Sequence, residues 1–119
     1  MSMQFRSSKI EPDIIVVQLI GNVTLMPENQ ISDPFINDLL EGPDKKLVFD
    51  LSGVEHMDSS GVQLMVQCSA AVRKAGGELR LAAANARVAR LFQITRLDSV
   101  LPLDPTVEAA CAAFAGTPD

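Results

Sequence analysis

The spacing of hydrophobic and polar residues changes several times along the chain, and each change marks the border of a predicted strand or helix. Short runs that are apolar throughout, or that alternate with polar residues, predict strands, whereas apolar residues three and four positions apart predict helices. On this basis we predict strands at residues 3–6, 14–20, 46–51, 78–82 and 100–103. Helices are predicted after Pro34, at residues 60–75, at residues 87–94 and from Pro105 onward.

The order of these elements predicts the fold class. After the first two strands, helices and strands alternate to the end of the chain, which favours a mostly parallel sheet with right-handed crossover connections. We therefore predict an α/β fold with a small, mixed, mostly parallel sheet of about five strands and about four helices. A chain of 119 residues fits a single domain, here residues 1–119, with flexible ends at residues 1–2 and 116–119.

Composition and charge narrow the classes of function. Hydrophobic residues make up 47% and charged residues 21% of the chain, as in an ordinary globular protein. The net charge of −5 repels a phosphate backbone, so no nucleic-acid partner is expected, and Arg87, Arg90 and Arg96 are interpreted as a solvated helix face. No apolar run approaches about 18 residues and no apolar leader begins the chain, so membrane insertion and export are not expected. Cys68 and Cys111 lie in apolar helical patterns, which favours a reducing compartment, the cytoplasm.

The segment Asp58-Ser59-Ser60-Gly61 stands at the predicted start of the long helix. The simple interpretation is helix capping, because one Ser or Asp at this position satisfies free backbone N–H groups and contributes about 1 kcal/mol. Here three short oxygen-bearing side chains follow one another, although capping requires only one. Backbone N–H groups and the helix dipole at such a place attract anions, and exposed hydroxyls there suit reversible phosphorylation. A phosphoserine switch is therefore the second interpretation.

Catalytic and metal sites are not indicated by the sequence. The chain has a single histidine, His56, which precedes the serines in a predicted loop, and it has no GxSxG motif. Phosphate-binding loop signatures are also absent, because Gly76-Gly77 precedes a strand instead of a helix. One histidine and two dispersed cysteines do not form a metal-ligand pattern. We expect no enzyme activity, no catalytic residue, no metal and no cofactor.

An ordered set of motifs resembles the STAS domain of bacterial anti-sigma factor antagonists. The set includes the strand that ends in Asp50-Leu51 and the segment Met57-Asp58-Ser59-Ser60-Gly61. Farther along the chain it includes Gly76-Gly77-Glu78-Leu79 and Val88-Ala89-Arg90-Leu91-Phe92. The resemblance extends over residues 46–103, about half of the chain, and residues 14–21 also fit the family's second strand.

The resemblance implies a STAS-like fold and a mechanism of transcription regulation called partner switching. The unphosphorylated antagonist would bind an anti-sigma factor, a serine/threonine kinase with a histidine-kinase-like ATPase fold, and thereby free a sigma factor. This kinase would phosphorylate Ser59, which Asp58 would orient, and a PP2C-type phosphatase would reverse the reaction. The switch and interface residues implied around Ser59 are Met57, Asp58, Ser60, Gly61 and Thr24.

Two departures from the family pattern lead to further expectations. The loop at residues 22–33, close to the kinase-facing surface in the family, is longer than usual and contains Pro27. The family favours Gly where Arg96 stands. Because a positive φ would cost Arg about 1 kcal/mol, we expect a different backbone conformation at this residue.

Other functions remain open for the same fold. One is a scaffold in another signalling complex, and a second is the cytoplasmic STAS subunit of a phospholipid or anion transporter. Ser59 argues against the transporter, because STAS domains of that kind often lack a serine after the Asp. Small-molecule binding or catalysis is a third and more distant alternative.

Overall fold

The computed structural model describes residues 4–10, 14–23, 46–97, 101 and 103–115. Within these residues, five strands form one sheet, and their order in space is their order along the chain. The strands are β1 (Gln4–Ile10), β2 (Ile14–Val23), β3 (Lys46–Met57), β4 (Glu78–Ala82) and β5 (Leu103–Asp104). Strand β1 is antiparallel to β2, whereas β2 to β5 are parallel, which confirms the predicted mixed, mostly parallel sheet.

Three helices are described: α1 (Ser59–Lys74), α2 (Ala86–Ile94) and α3 (Val107–Ala115). Helix α1 connects β3 to β4 and helix α2 connects β4 to β5, so the alternation of strands and helices is as predicted. The boundaries of α1 and α2 lie within one residue of those predicted from the apolar spacing. The helix predicted after Pro34 lies outside the described residues.

The core consists of two clusters, one on each face of the sheet. Helices α1 and α2 pack on one face, and the larger cluster there is formed by Val17, Leu19, Leu47, Phe49, Leu51, Val54, Met57, Val62, Leu64, Met65, Cys68, Val72, Leu79, Leu81, Val88, Phe92 and Leu101. Helix α3 packs on the opposite face, where the buried residues are Ile14, Val16, Val48, Ala82, Ala110 and Phe114. The alternation of side chains along β2 and β3 supplies both clusters, because successive residues of a strand point to opposite faces.

An ion pair fixes β5 and α3 to the sheet. The Nε atom of Arg80 donates to Oδ2 of Asp104 at 2.7 Å and its Nη2 atom donates to Oδ1 at 3.2 Å. The same guanidinium lies 5.9 Å from the ring centroid of Phe114 in α3. This paired geometry positions the short strand β5, which contributes only two residues to the sheet.

Strand β3 is longer than predicted. The sequence predicts its end at Leu51 and a loop up to Ser59, but the strand extends to Met57 and pairs with β2 as far as Val23. The prediction of a loop, and of His56 as a loop residue, is therefore wrong. Beyond Asp50, β3 is paired with β2 alone within the described residues, because β4 ends its pairing there. Because this part of β3 has only one neighbouring strand among the described residues, it can hold polar side chains. The apolar run that predicts a buried strand therefore ends at Leu51, before the strand itself ends.

Irregular pairing hides this second half of β3 from a pattern search. The register between β2 and β3 shifts twice, so buried residues no longer alternate with exposed ones. One close approach of the strands occurs at Gly53, where a Cβ atom would lie 3.0 Å from the carbonyl oxygen of Leu19. Gly53 therefore permits a strand contact that a larger residue would push apart.

The backbone at Arg96 is also different from the expectation. The expectation that Arg96 avoids a positive φ is wrong, because its φ is 60°, in the left-handed region that glycine prefers. Arg96 follows Thr95, the last residue of the α2 cap, and its N–H donates to the carbonyl of Gln93 at 3.1 Å. The helix end therefore has the common left-handed form, with an arginine in the position usually held by glycine.

Candidate functional site

The connection between β3 and α1 brings the predicted switch residues together. Asp58 is the N-cap of α1 and has an extended backbone, with φ −108° and ψ −174°. Its Oδ1 atom accepts a hydrogen bond from the backbone N–H of Gly61 at 3.0 Å, and its carbonyl accepts from Val62 at 3.0 Å. The capping interpretation of this segment is therefore confirmed for Asp58.

The two serines that follow Asp58 differ in their surroundings. The hydroxyl of Ser60 donates to Oδ1 of Asp58 at 2.5 Å, and Ser60 is half-buried. Ser59 is exposed, and within the part of the chain that the structure describes its hydroxyl forms no hydrogen bond. One hydroxyl is thus part of the capping arrangement, whereas the other is open to solvent at the first position of a helix.

The hydrogen bonds at the cap also set the charge of Asp58. The hydroxyl of Ser60 lowers the pKa of the Asp58 carboxyl below its ordinary value of 3.8, followed by the backbone N–H of Gly61. The backbone N–H of Ser60 and the nearby His56 act in the same direction, while the slight burial opposes them. The carboxyl is therefore ionised at neutral pH, next to the exposed hydroxyl of Ser59.

The remaining predicted site residues have other positions. Met57 is only 5% exposed and belongs to the core under α1, so it anchors the end of β3 instead of facing solvent. Gly61 is buried in the first turn of α1. Thr24 lies outside the described residues, and the preceding residue, Val23, pairs with Met57.

Asn85 belongs to this region and was not singled out in the sequence. Its Oδ1 atom accepts from the backbone N–H of Val88 at 2.9 Å and thereby caps α2. Its Nδ2 atom donates to the carbonyl of Val54 at 3.1 Å, so the start of α2 is tied to β3 four positions before Asp58. The sequence signal was an Asn directly before a helix, which predicts the cap but not the link to β3.

A shallow hollow of about 450 Å³ lies elsewhere, on the α3 side of the sheet, and its described lining includes Val16, Asp50 and Thr106. Two of its polar side chains have local partners, since Asp50 accepts from the N–H of Ser52 at 2.9 Å and Thr106 accepts from the N–H of Ala109 at 3.0 Å. Among the described residues there is no group of three or more His, Cys, Asp or Glu side chains placed to hold a metal ion. In the same part of the chain, no helix has the length and apolar character needed to cross a bilayer.

Comparison with known families identifies the domain family. A family model described as the STAS domain matches residues 6–110. The chain belongs to the STAS domain family. The match includes β2 to β5, α1 and α2, and therefore the Asp58–Gly61 segment of this STAS protein.

This STAS protein is similar in sequence to proteins that are named as anti-sigma factor antagonists. The chain is 32% identical over 114 residues to a candidate anti-sigma factor antagonist of Thermotoga neapolitana, with 91% of this chain and 96% of the relative covered. It is 28% identical over 94 residues to the anti-sigma-B factor antagonist of Bacillus subtilis, with 79% of this chain and 84% of that protein covered.

Solved structures share the fold. The anti-sigma factor antagonist SpoIIAA in its unphosphorylated form matches with a TM-score of 0.74 at 22% identity, covering 98% of this chain and 100% of that chain. The phosphorylated form of SpoIIAA, from Bacillus, matches with a TM-score of 0.67 at 21% identity and coverage of 93% and 99%. The STAS domain of a SulP transporter from Vibrio cholerae matches with a TM-score of 0.62 at 17% identity and coverage of 91% and 86%. At these identities the likeness establishes the fold alone.

Proposed function

We propose that this STAS protein is an anti-sigma factor antagonist, which acts by partner switching under the control of phosphorylation at Ser59. In its unphosphorylated form it binds an anti-sigma factor that is also a serine kinase, and a sigma factor is released. Phosphorylation of Ser59 by that kinase ends the binding, and a PP2C-type phosphatase restores it. The protein has no catalytic activity of its own in this scheme.

The observation that favours Ser59 over Ser60 is the difference between their hydroxyls. The Ser60 hydroxyl donates to the ionised carboxylate of Asp58 at 2.5 Å, so a kinase would have to break this bond before it transfers phosphate to Ser60. The Ser59 hydroxyl is exposed and has no such bond among the described residues. Phosphoryl transfer to Ser59 therefore requires no local unfolding.

The charge of the site explains how phosphate would end the binding. A phosphoserine carries about 1.5 to 2 negative charges at neutral pH. On Ser59 it would lie beside the ionised Asp58, so the two groups together would present a concentrated negative charge at the start of α1. A partner surface that is complementary to one carboxylate and a neutral hydroxyl would then meet repulsion and the cost of removing water from the phosphate.

A switch of this kind requires a large change in binding free energy on phosphorylation. Changing a partner from almost fully bound to almost fully free requires a difference in binding free energy of about 5.5 kcal/mol. Loss of a well-packed contact at Ser59 and burial of an unpaired phosphate can together reach this order, since one unpaired buried charge costs several kcal/mol. A change in the fold of the antagonist is not needed.

The names of the relatives favour this role over a transporter subunit. The Bacillus subtilis relative is named an anti-sigma factor antagonist and the Thermotoga neapolitana relative a candidate one, and the match to each extends over most of this chain. The serine after Asp58 is the residue that the switch requires. A scaffold in another signalling complex would use the same fold with different partners, and the experiment below distinguishes the two.

A pull-down from the source cells tests the proposal, with wild type, Ser59→Asp and Ser60→Asp as baits and mass spectrometry as the readout. We expect an ATPase-type serine kinase with wild type and its loss with Ser59→Asp. Ser60→Asp is the matched control for an added negative charge one residue away, and it must be checked for folding because it replaces the hydroxyl bonded to Asp58. Recovery of one set of transporter or scaffold proteins with all three baits would refute the sigma-factor role.

The recovered kinase then provides a direct test of the site. Purified kinase and ATP are mixed with wild type, Ser59→Ala and Ser60→Ala, and the phosphorylated residue is identified by peptide mass spectrometry. We expect phosphate on Ser59 in wild type and in Ser60→Ala, and none in Ser59→Ala, which should remain bound to the kinase. Phosphate on Ser60, or an unchanged yield in Ser59→Ala, would contradict the assignment of Ser59.

A further inference from the structure

The solvent-facing side of α2 presents Arg87, Arg90 and Ile94 in one stripe, because residues three, four and seven positions apart share a helix face. We propose that this α2 stripe docks an acidic surface of a protein partner. The contact is separate from the Ser59 switch and goes beyond the function proposed above. Three observations support it: the exposure of Ile94, the distribution of charge over the two helices, and the position of Arg87 in the helix.

Ile94 is the first observation. Its side chain is 66% exposed, and it is the large hydrophobic residue that stands out as exposed within the described chain. A single exposed isoleucine needs no explanation on its own. Here two arginines precede it along the stripe, Arg90 by four positions and Arg87 by seven, and arginine is enriched among the residues that contribute most to protein interfaces.

The distribution of charge is the second observation. Neither α1 nor α2 contains an Asp or Glu within its bounds, although the chain as a whole has 15 acidic residues and a net charge of −5. The basic residues of this helix layer are Arg73 and Lys74 at the end of α1, Arg87 and Arg90 in α2, and Arg96 just after α2. Two acidic residues border these helices: Asp58 caps the start of α1, and Glu78 lies exposed at the start of β4 near the end of α1. The helix layer is thus positive on a negative protein, and its complement is a surface that bears carboxylates.

The position of Arg87 is the third observation. Arg73 and Lys74 lie in the last turn of α1, where cations are stabilised by the helix dipole, so helix stability alone explains them. Arg87 lies in the first turn of α2, where the dipole disfavours a cation. Neither Arg87 nor Arg90 has an ion-pair partner among the described residues. Arg87 is therefore slightly unfavourable for the stability of α2, and the proposed contact with a partner explains why an arginine stands there.

The dimensions of the stripe favour a protein partner over other anions. From Arg87 to Ile94 the helix rises by about 10 Å, which matches a short acidic segment or helix face. Nucleic acid is repelled by the net charge of the chain and is bound through many phosphate contacts, not two. Stable attachment to an anionic bilayer uses a broad apolar helix face beside its basic residues, and this stripe has one isoleucine.

A titration with defined peptides tests the proposal on the full chain. The labelled protein is followed by NMR at physiological salt while an acidic peptide of Glu and Leu, or a basic one of Lys and Leu with the same length, is added. We expect the acidic peptide alone to shift the backbone amides of Ala86–Ile94. The double variant Arg87→Glu/Arg90→Glu should lower the affinity by about tenfold or more, because two charge contacts become repulsive. Ile94→Ser should lower it several-fold.

Two control variants separate the stripe from general charge and from the switch. Arg73→Glu/Lys74→Glu makes the same change in net charge at the far end of α1 and should alter the affinity by less than about threefold, since screening acts over about 8 Å at this salt. Ser59→Asp should bind the acidic peptide like wild type, so failure of the switch proposal leaves this test unaffected.

Several outcomes would overturn the proposal. These are shifts that map outside α2, equal weakening by the two double variants, and absence of acidic-peptide binding. Parallel titrations with anionic lipid vesicles and with duplex DNA are included, and binding of either in place of the acidic peptide would refute a protein partner. Folding is checked by circular dichroism for each variant, and Arg87→Glu places an anion at a helix start, where it is favoured.

Discussion

Asp58 both caps α1 and supplies the negative charge beside Ser59, and two substitutions separate these roles. Asp58→Ala removes the oxygen that accepts from the N–H of Gly61 at 3.0 Å and from the hydroxyl of Ser60 at 2.5 Å. Loss of an N-cap of this kind costs about 1 kcal/mol of stability. Asp58→Asn keeps an acceptor oxygen and removes the charge, so its cost should be a few tenths of a kcal/mol.

Urea unfolding followed by far-UV circular dichroism measures these differences, because the chain has no Trp or Tyr for intrinsic fluorescence. With a urea dependence of about 2 kcal/mol per molar for a domain of this size, a loss of 1 kcal/mol lowers the unfolding midpoint by roughly 0.5 M. We expect that shift for Asp58→Ala and a much smaller one for Asp58→Asn. A wild-type midpoint in Asp58→Ala would show that the observed cap contributes no stability. Equal losses in both variants would show that charge, not the acceptor oxygen, is responsible.

The pH dependence of the same experiment follows from the lowered pKa of Asp58. Its folded pKa lies below the ordinary value of 3.8, so the unfolded state takes up a proton first as the pH falls. The stabilisation from the ionised carboxylate is fully present above the unfolded value and is lost as the pH falls through the folded pKa. The stability difference between wild type and Asp58→Asn should therefore be constant from pH 5 to 7 and shrink below about pH 4. A difference that grows in acid would contradict the hydrogen bonds described for the cap.

Three further predictions concern the elements around the site, and urea midpoints measure each of them. Arg96→Gly should stabilise the domain by up to about 1 kcal/mol, because φ is 60° there, and Arg96→Ala, which keeps the strain, should not. Phe92→Ala, in a fully buried position, should cost about 3 to 5 kcal/mol, and a loss below 1 kcal/mol would contradict its place in the core. Asn85→Ala should cost about 1 to 2 kcal/mol, whereas Asn85→Asp keeps the bond to Val88 and loses only the one to Val54. Equal losses in the two Asn85 variants would show that the cap adds nothing.

Local patterns predicted the regular part of the fold well. Residues 78–82 form a strand where alternation and the preceding glycines indicate one, and α1 follows from its apolar spacing and its cap. In both elements most of the apolar side chains that define the pattern are buried, so the packing in the folded chain agrees with the structure that the local sequence favours. The parallel order of the sheet then follows from the alternation of strands and helices.

The missed features depend on contacts between distant parts of the chain. The second half of β3 is a strand because it pairs with β2 through two register shifts, which erase the alternation that a sequence search needs. The link from Asn85 to the carbonyl of Val54 joins residues 31 positions apart, so no local spacing indicates it. At Arg96 the geometry of the helix end requires a positive φ, although arginine on its own favours a negative one. For the serines, the sequence indicates three oxygen-bearing side chains in a row but not which hydroxyl the cap uses.

Because the cap uses the hydroxyl of Ser60 and not that of Ser59, a phosphate on Ser59 would not replace any hydrogen bond of the cap. Asp58 already accepts from Ser60 and Gly61, and it is ionised, so it cannot donate a hydrogen bond to a phosphate on Ser59. A phosphate on Ser59 would therefore be stabilised by other means than Asp58, such as water and the positive end of the α1 dipole. Under the proposed switch, the hydrogen bonds of the cap do not involve the Ser59 hydroxyl, so we expect phosphorylation of Ser59 to leave the cap in place and to change only the charge at the surface. A modification that leaves the fold unchanged but alters the charge of one exposed position acts on binding, and a reversible switch between two partners requires this property.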